Sequence, residues 1–340
     1  MTQYGLIADI GGTNARFALA PIKQFETPDA LMLSEQELIA PLALNGADYN
    51  SILEAAEAYL ESIAADYPRP DHAVMAIACP TDKDQITMTN HTWSFSVSEL
   101  KASLGLVSLK FINDYNAMAN AIPHMGEKEL VKVGGGAAVK GMPIAVTGPG
   151  TGLGLAALAF SDLGPLTLET EGGHAHFAPT TAAEIDILKY LLTKYSRVSN
   201  ERLISGMGLE NIYQGLCSSK GLPVVELSAP EISKAALDKT DSVAEEALAT
   251  FCAITGNYAG DVALTIGAKG GVYITGGIVP RFIEYFKNSQ FRACFENKAR
   301  MSGFVVTIPT YVVMAKQPGL LGAAAVLNHR IHNKQYASLT

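Results

Sequence analysis

Two glycine-rich stretches of the sequence have the residue types that bind an anion. The first runs from Asp9 to Asn14 (Asp-Ile-Gly-Gly-Thr-Asn), and the second, from Gly148 to Gly154, has glycine at every other position. Because glycine lacks Cβ, its backbone N–H group can approach a phosphate closely, and Thr13 adds a hydroxyl donor. Asp9 can hold the water shell of a magnesium ion, which prefers one or two carboxylates together with phosphate oxygens. The alternative for the first stretch is an ordinary tight hairpin.

Common phosphate-binding fingerprints do not describe the second stretch. It lacks the spacing and the following helix of the dinucleotide-binding fingerprint. The Gly-Lys-Ser/Thr ending of a P-loop does not occur in the chain. Phosphate is therefore expected to be held by backbone amides, hydroxyl groups and a metal ion. A further glycine pair, Gly276-Gly277, follows an apolar run and can let an adenine or ribose approach the backbone, with a plain strand-to-helix turn as the alternative.

A candidate catalytic carboxylate follows the apolar run at residues 107–112. Open α/β sheets place their ligands at the carboxyl ends of strands, where Asn113 and Asp114 would lie. Phosphoryl transfer to an alcohol needs a group that accepts the hydroxyl proton. Asp114 suits that role, and Asn113 can orient another hydroxyl. From these two residues alone, an Asx turn that closes the strand is the better interpretation.

A second polar cluster suits the binding of a sugar. Glu171, His174 and Glu201 offer carboxylate and imidazole groups, which commonly bind sugar hydroxyls. An alternative makes Glu171, His174 and His176 a metal site, but no second cluster of His or Cys accompanies them, so we rank it below sugar binding. Glu201 alone is also compatible with a solvated helix residue.

The elements that must position these residues alternate between strands and helices, which is typical of an α/β fold. Apolar runs at 4–10 and 16–20 flank the first glycine stretch and predict a β-hairpin. Further strands are predicted at 72–79, 107–112, 144–146 and 271–274.

Helices are predicted from apolar spacing and from capping signals. Apolar residues at helical spacing predict a helix over 51–64. Thr181-x-x-Glu184 and Ser242-x-x-Glu245 each predict a capping box at a helix start.

An internal repeat connects the two glycine stretches. The segments LIADIGGTNARFALA and IAVTGPGTGLGLAALA both consist of an apolar run, a glycine-rich turn and a second apolar run. When Asp9 is aligned with Thr147, a Gly-Thr pair in one copy falls on a Gly-Thr pair in the other. The repeat predicts two related domains that face one cleft, and chance alignment of small residues is the alternative.

Length and composition limit the classes of protein. The 340 residues suggest two domains, and 48% hydrophobic with 17% charged residues favours large cores over disorder. A net charge of −8 without a basic run argues against a nucleic-acid or anionic-membrane partner. The four cysteines show no zinc-type pairing, and the start of the sequence has no signal-peptide pattern, so a cytoplasmic protein is expected. The apolar stretch 244–266 contains charged residues and is predicted to be a buried helix.

Taken in order, these motifs resemble the bacterial glucokinase family, which has the hexokinase-type, actin-like ATPase fold. The resemblance extends from Asp9 to Ala324. The segments that carry it are DIGGTNARFAL, AIACP, MTNHTW, INDYNA, GPGTGLG, EGGHAHFAP, ERLISGMGL, ITGGIVPRF and PGLLGAA.

The resemblance implies two actin-like (ribonuclease H-like) α/β domains around a cleft, one at 1–124 joined by 315–340 and the other at 125–314. It implies transfer of a phosphoryl group from Mg-ATP to the 6-hydroxyl of glucose, with Asp114 as the general base, and it suggests a homodimer. The residues implied to bind glucose are Asn113, Asp114, Glu171, His174 and Glu201. The residues implied to bind ATP are Ala8, Asp9, Ile10, Gly11, Gly12, Thr13, Gly148, Gly150, Thr151, Gly152, Gly276 and Gly277, with Asp9 also near the magnesium ion.

Two residues depart from the family pattern. Thr170 stands where glycine is common, and His176 stands where aspartate is common. The zinc-type cysteine motif of the related ROK family is absent. Two alternatives stay open: a kinase for another hexose, such as mannose or an N-acetylated amino sugar, and a sugar-sensing regulator without catalytic activity.

Overall fold

The computed structural model describes residues 3–27, 30–88, 91–162 and 164–337. Two residues of the MTNHTW segment, Thr89 and Asn90, lie outside that part of the chain. The strands are β1 (Tyr4–Ile10), β2 (Asn14–Pro21), β3 (Ile39–Asn45), β4 (His72–Ile77), β5 (Gln85–Thr87), β6 (Ser94–Ser96), β7 (Ser108–Asn113), β8 (Leu130–Gly134), β9 (Ile144–Pro149), β10 (Leu153–Ser161), β11 (Gly164–Thr170), β12 (Gly271–Ile274) and β13 (Thr310–Val313).

The α-helices alternate with these strands, as expected for the α/β class. They are α1 (Ile52–Ile63), α2 (Val97–Ser103), α3 (Asp114–Ala121), α4 (Ala182–Leu192), α5 (Gly206–Ser219), α6 (Ala229–Leu237), α7 (Ser242–Ile266), α8 (Ile283–Lys287), α9 (Phe291–Glu296), α10 (Ser302–Val305) and α11 (Pro318–Ala337). Within the described residues, no helix has both the length and the apolar character needed to cross a membrane.

The first sheet has the strand order β3-β2-β1-β4-β7. β1 and β2 form the predicted antiparallel hairpin, whereas β1, β4 and β7 run parallel. Alternate residues of β1 enter two different cores: Leu6 packs with α1 on one face, and Ile7 packs with α11 on the other. A strand buried on both faces reads as a continuous apolar run, which explains the sequence pattern.

The second sheet repeats this topology and confirms the predicted duplication of the hairpin unit. Its order is β11-β10-β9-β12-β13-β8, so β11 to β13 correspond position by position to the five strands of the first sheet. β9, β12 and β13 run parallel, and β8 adds an antiparallel edge strand. Thr147, which aligns with Asp9 in the repeat, is buried and donates from Oγ1 to the carbonyl oxygen of Gly154 at 2.7 Å.

A helix begins at each of the two predicted capping boxes, but the predicted capping contacts form only in part. At α4, Thr181 Oγ1 accepts from the Glu184 N–H group, but Glu184 accepts from Thr180 instead of completing the box. At α7, the prediction of Ser242 as the cap is wrong. Asp241 caps the helix by accepting from two backbone N–H groups at 2.8 and 3.1 Å, and its negative charge also suits a helix N-terminus.

The chain divides into two compact units, and each has its own core. Unit 1 comprises residues 1–128, 158–169 and 315–340, and unit 2 comprises 129–157 and 170–314. The domain limits expected from the sequence stay a prediction, because compactness does not by itself show that a unit folds alone.

Candidate active site

In unit 1, the carboxyl ends of three parallel strands lie side by side. Ile10 of β1 pairs with Ile77 of β4, and Ile77 pairs with Asn113 of β7. Since neighbouring strands lie about 4.8 Å apart, the ends of β1 and β7 are separated by about 10 Å. The strand order therefore brings Asp9 and Asp114, which are distant in sequence, to one edge of the first sheet.

Asp9 is a largely buried carboxylate with one distant cationic partner. Its Oδ2 lies 3.6 Å from Arg16 Nη1 on the adjacent strand, and 19% of its side chain is exposed. Burial raises the pKa of Asp9, and the positive charge of Arg16 opposes that rise. The first turn of α11 packs directly against the carboxylate, because a Cβ added to Gly319 would lie 2.6 Å from Asp9 Cγ. This contact explains the glycine of the Pro-Gly pair at the start of α11.

The turn after Asp9 is a hairpin with an exposed tip. The Gly11 N–H group donates to the Asn14 carbonyl at 2.9 Å, and Gly12 and Thr13 are exposed. The side chains of Ala8 and Ile10 are buried in the core. These two residues can therefore reach a nucleotide only through their backbone.

Asp114 is the first residue of α3. The N–H group of Tyr115 donates to Asn113 Oδ1 and to Asp114 Oδ1, both at 2.9 Å. The Asx-type turn considered from sequence is thus present, and Asn113 makes it as the helix cap. Burial raises the pKa of Asp114 to about 6, the charge of Asp9 adds to the rise, and the hydrogen bond from Tyr115 opposes it. A carboxylate with such a pKa is charged at neutral pH and is a stronger base than an ordinary aspartate.

The donors in unit 1 fit a magnesium ion that is held mainly by nucleotide phosphates. Among the described residues, no group of three His, Cys, Asp or Glu side chains could form a metal cage. Magnesium usually keeps several waters and takes one or two carboxylates plus phosphate oxygens. Asp9, a largely buried carboxylate 3.6 Å from Arg16 Nη1, is a residue of the type that such an ion takes.

In unit 2, two of the expected ATP-binding glycines are required by close backbone packing. A Cβ on Gly148 would lie 2.0 Å from the Thr275 carbonyl oxygen, and a Cβ on Gly276 would lie 2.3 Å from the Pro149 carbonyl oxygen. Gly276 also has a φ of +87°, which disfavours other residues. By contrast, space around Gly277 is open. The end of β9 therefore packs against the loop after β12, and Gly277 is exposed.

The loop between β9 and β10 is held from within and from α5. The Gly150 N–H group donates to the Gly152 carbonyl at 2.9 Å, and the Gly206 N–H group donates to the Gly150 carbonyl at 3.0 Å. Thr151 lies exposed at the tip. The loop thus has a fixed path with an exposed Thr, like the turn after Asp9.

Three of the expected sugar-binding side chains lie together in unit 2. Glu201 Oε1 lies 3.7 Å from His174 Nδ1, and Glu171 Oε2 lies 3.9 Å from His174 Nε2. Their side chains are 29%, 55% and 81% exposed for Glu201, His174 and Glu171, respectively, so their polar atoms can reach a ligand. Asn113 and Asp114 belong to unit 1.

Sequence reasoning missed the contact that orients Glu201. Its Oε2 accepts from the Leu153 N–H group at 3.0 Å. A Cβ on Gly152 would lie 2.5 Å from the same oxygen, so the glycine makes room for the carboxylate. Gly152 therefore links the glycine loop to the sugar cluster, a role that its sequence position alone does not indicate.

The alternative metal site at Glu171, His174 and His176 does not form. His176 Nε2 accepts from Arg197 Nε at 3.0 Å, so this nitrogen is not available as a ligand. Arg197 was not singled out from the sequence, because it is an isolated basic residue in a polar stretch.

Comparison with known proteins identifies the family of the chain. The family model described as Glucokinase matches residues 6–330. A glucokinase from Hahella chejuensis is 44% identical over 335 residues, covering 97% of this chain and 99% of the relative. A glucokinase from Citrobacter koseri is 43% identical, covering 97% and 99%.

Solved structures of glucokinases are also similar to this chain. The crystal structure of a glucokinase from an Antarctic psychrotroph has a TM-score of 0.87 at 35% identity, covering 96% of this chain and 99% of that one. A ROK family glucokinase from Streptomyces griseus, in complex with glucose and AMPPNP, has a TM-score of 0.61 at 16% identity, covering 95% and 99%, and shows likeness of fold alone. The actin-like α/β fold predicted from the sequence is confirmed. Since the family model and these relatives match nearly the whole length, the chain belongs to the glucokinase family.

Proposed function

We propose that this chain transfers the γ-phosphoryl group of ATP to the 6-hydroxyl of glucose, with Asp114 as the general base. Family membership supports the ATP-dependent glucose kinase activity. The observation that supports the base is the position of Asp114 at the carboxyl end of β7, where burial raises its pKa to about 6. A base works best when its pKa lies near the working pH.

The proposed reaction divides the residues by role. Asn113, Glu171, His174 and Glu201 hold glucose through its hydroxyl groups. The Asp114 carboxylate accepts the proton of the 6-hydroxyl, and the sugar oxygen forms a bond to the γ-phosphorus. The bond between that phosphorus and the β,γ-bridging oxygen breaks, and ADP leaves.

The phosphates of ATP lie, in this proposal, on the two glycine-rich turns. In the first turn, Gly11, Gly12 and Thr13 present an exposed tip, with Ala8, Asp9 and Ile10 contributing through the strand end. In the second, the contributing residues are Gly148, Gly150, Thr151 and Gly152. Gly276 and Gly277 lie beside the adenosine, where the open space around Gly277 admits a ligand.

Magnesium belongs to the proposal as the companion of ATP. Asp9 would hold it through water, and the ion would neutralise negative charge on the transferred phosphoryl group. A cytoplasmic location and a homodimer are also proposed, since closed two-fold dimers are the commonest oligomers of soluble proteins. Light scattering coupled to size-exclusion chromatography tests the dimer.

The experiment that tests the proposed function compares sugars side by side. Purified protein is assayed for ADP release with Mg-ATP and glucose, mannose or N-acetylglucosamine. We expect glucose to give the highest kcat/KM. Preference for another sugar would replace glucose in the proposal, and absence of sugar-dependent ADP release with all three would support the non-catalytic regulator instead.

A further inference from the structure

We propose that Arg197 is a positioning residue for glucose binding, which it supports by fixing the segment that carries His174. The inference rests on the proposed function, because it assigns Arg197 a part in the same sugar site. Arg197 itself is exposed. Its replacement therefore leaves the core of unit 2 intact.

The guanidinium group of Arg197 makes three contacts with this segment, two of them short hydrogen bonds. Arg197 Nη2 donates to the His174 carbonyl oxygen at 2.6 Å, and Nε donates to His176 Nε2 at 3.0 Å. These two N–H groups lie on the same edge of a planar, rigid fork. Nη2 also lies 3.4 Å from His176 Nδ1. Arg197 thereby fixes the His174 backbone and the His176 ring at once.

Packing fixes only part of this segment, because Phe177 is buried in the core of unit 2 whereas other residues of the segment border a cavity. This cavity of about 390 Å³ is lined by Gly172, His176 and Phe177 of the segment and by Asn200 and Tyr258. Side chains cannot support a backbone across an empty space of that size. Hydrogen bonds to the neighbouring segment therefore contribute much of what fixes its position.

Two backbone hydrogen bonds join this segment to residues 197–200. The Phe177 N–H group donates to the Val198 carbonyl at 3.1 Å, and the Asn200 N–H group donates to the Ala175 carbonyl at 2.9 Å. Arg197 is the side chain that extends this pairing to His174.

The distance between His174 and Glu201 depends on the same pairing. Glu201 follows residues 197–200 directly, and its Oε2 is held on the Leu153 N–H group. Binding groups must be held within about 0.5 Å of their productive positions. If Arg197 is lost, His174 can move relative to Glu201, and hydroxyl groups of the sugar lose one of two converging partners.

The experiment compares Arg197→Ala and Arg197→Lys with Arg300→Ala, which removes an exposed arginine elsewhere in unit 2. For Arg197→Ala, we expect KM for glucose and the calorimetric Kd to rise about tenfold, corresponding to one lost charge-assisted hydrogen bond. KM for ATP should stay within about twofold and kcat within about threefold. Lysine should restore little, because it lacks the fork, and Arg300→Ala should match the wild type.

Two further measurements separate positioning from a general loss of structure. Added guanidinium ion at low millimolar concentration should lower the glucose KM of Arg197→Ala but not of Arg197→Lys. His176→Asp, which gives Arg197 a carboxylate acceptor, should keep glucose KM within about twofold of wild type. If Arg197→Ala fails to fold, a weakened glucose Kd in a folded Arg197→Lys variant supports the proposal.

The proposal is overturned if Arg197→Ala binds glucose as the wild type does. It is also overturned if KM for ATP rises and kcat falls to the same extent as glucose binding weakens, since that pattern indicates general damage. Calorimetry needs no turnover, so Arg197 can be judged even if the wild type transfers no phosphoryl group. Wild-type glucose binding without ADP release would refute the proposed function and leave the assignment of Arg197 standing.

Discussion

Replacing Asp114 by Asn should abolish most turnover and also stabilise the protein. The native state holds this carboxyl in a buried position that raises its pKa to about 6, compared with an ordinary value of 3.8. Asparagine has nearly the same shape, carries no charge and keeps an oxygen that can accept from Tyr115. The substitution therefore removes the base and the unfavourable burial of its charge in one step.

The size of the expected stabilisation follows from the shift in the pKa of Asp114. The difference of about two pKa units corresponds to about 3 kcal/mol, at 1.36 kcal/mol per unit. Between pH 4 and pH 6 the folded state binds a proton that the unfolded state has released, so stability falls as pH rises through this window. Above pH 6 the wild type carries the full penalty. We expect Asp114→Asn to be more stable than the wild type by about 1–3 kcal/mol at pH 8 and equal to it at pH 4.

The assay is urea unfolding at pH 8 and pH 4, combined with steady-state kinetics. Turnover should fall at least about 100-fold, the lower range for loss of a general base, while glucose Kd changes much less. Wild-type kcat/KM should fall tenfold per pH unit below about 6, since the protonated carboxyl cannot accept a proton. Asp84→Asn is the control, because hydrogen bonds from Ser96 and Ser98 lower the pKa of Asp84, so this variant should not be stabilised at pH 8.

Two results would refute the reasoning about Asp114. Turnover of Asp114→Asn close to wild type would remove Asp114 as the base. Equal or lower stability of that variant at pH 8 would show that burial of the charge is not the cause of the raised pKa.

Three further predictions concern other residues. Gly152→Ala places a Cβ 2.5 Å from Glu201 Oε2. Because the end of the carboxylate can rotate away, the free energy of unfolding in urea should change by less than about 1 kcal/mol, while glucose KM rises about tenfold. An unchanged KM contradicts this prediction. Asp9→Asn should raise the magnesium concentration for half-maximal rate about tenfold without changing glucose KM, and an unaltered magnesium titration counts against the role of Asp9. Burial lowers the pKa of His124 and of His329 to about 4. The stability that is present above pH 6.5 should therefore be lost as pH falls toward 4, by up to about 3 kcal/mol for His124. A His124→Gln variant with the same acid sensitivity as the wild type argues against this prediction.

Much of the fold could be predicted because its signals are local. Apolar runs around glycine turns indicate the two hairpins, and their similarity indicates the repeat, which the strand orders of the two sheets confirm. The cap of α7 could not be predicted with the same certainty. Asp241 and Ser242 are adjacent and both suit a cap, and the charge and two accepted hydrogen bonds of Asp241 decide between them.

The residues of the candidate site could be predicted from the sequence, but the contacts between them could not. The place of Asp114 after a strand made it a candidate, but its assignment as the base, like that of Glu201 to the sugar site, came from the resemblance to the family pattern. The hydrogen bond between Glu201 and Leu153, however, joins residues 48 positions apart. The contact of Arg197 with His174 likewise depends on how two irregular segments meet. Neither propensity nor periodicity carries information about such long-range pairs.

The central claim is tested most directly by identifying the product formed from glucose and Mg-ATP. Purified protein is incubated with both, and the position of the phosphate is determined by correlated proton and phosphorus NMR. The control sugar is 6-deoxyglucose, which offers no hydroxyl at that position. Our account predicts glucose 6-phosphate from glucose and no sugar phosphate from 6-deoxyglucose. Phosphate on another hydroxyl, or no phosphorylated sugar at all, would contradict it.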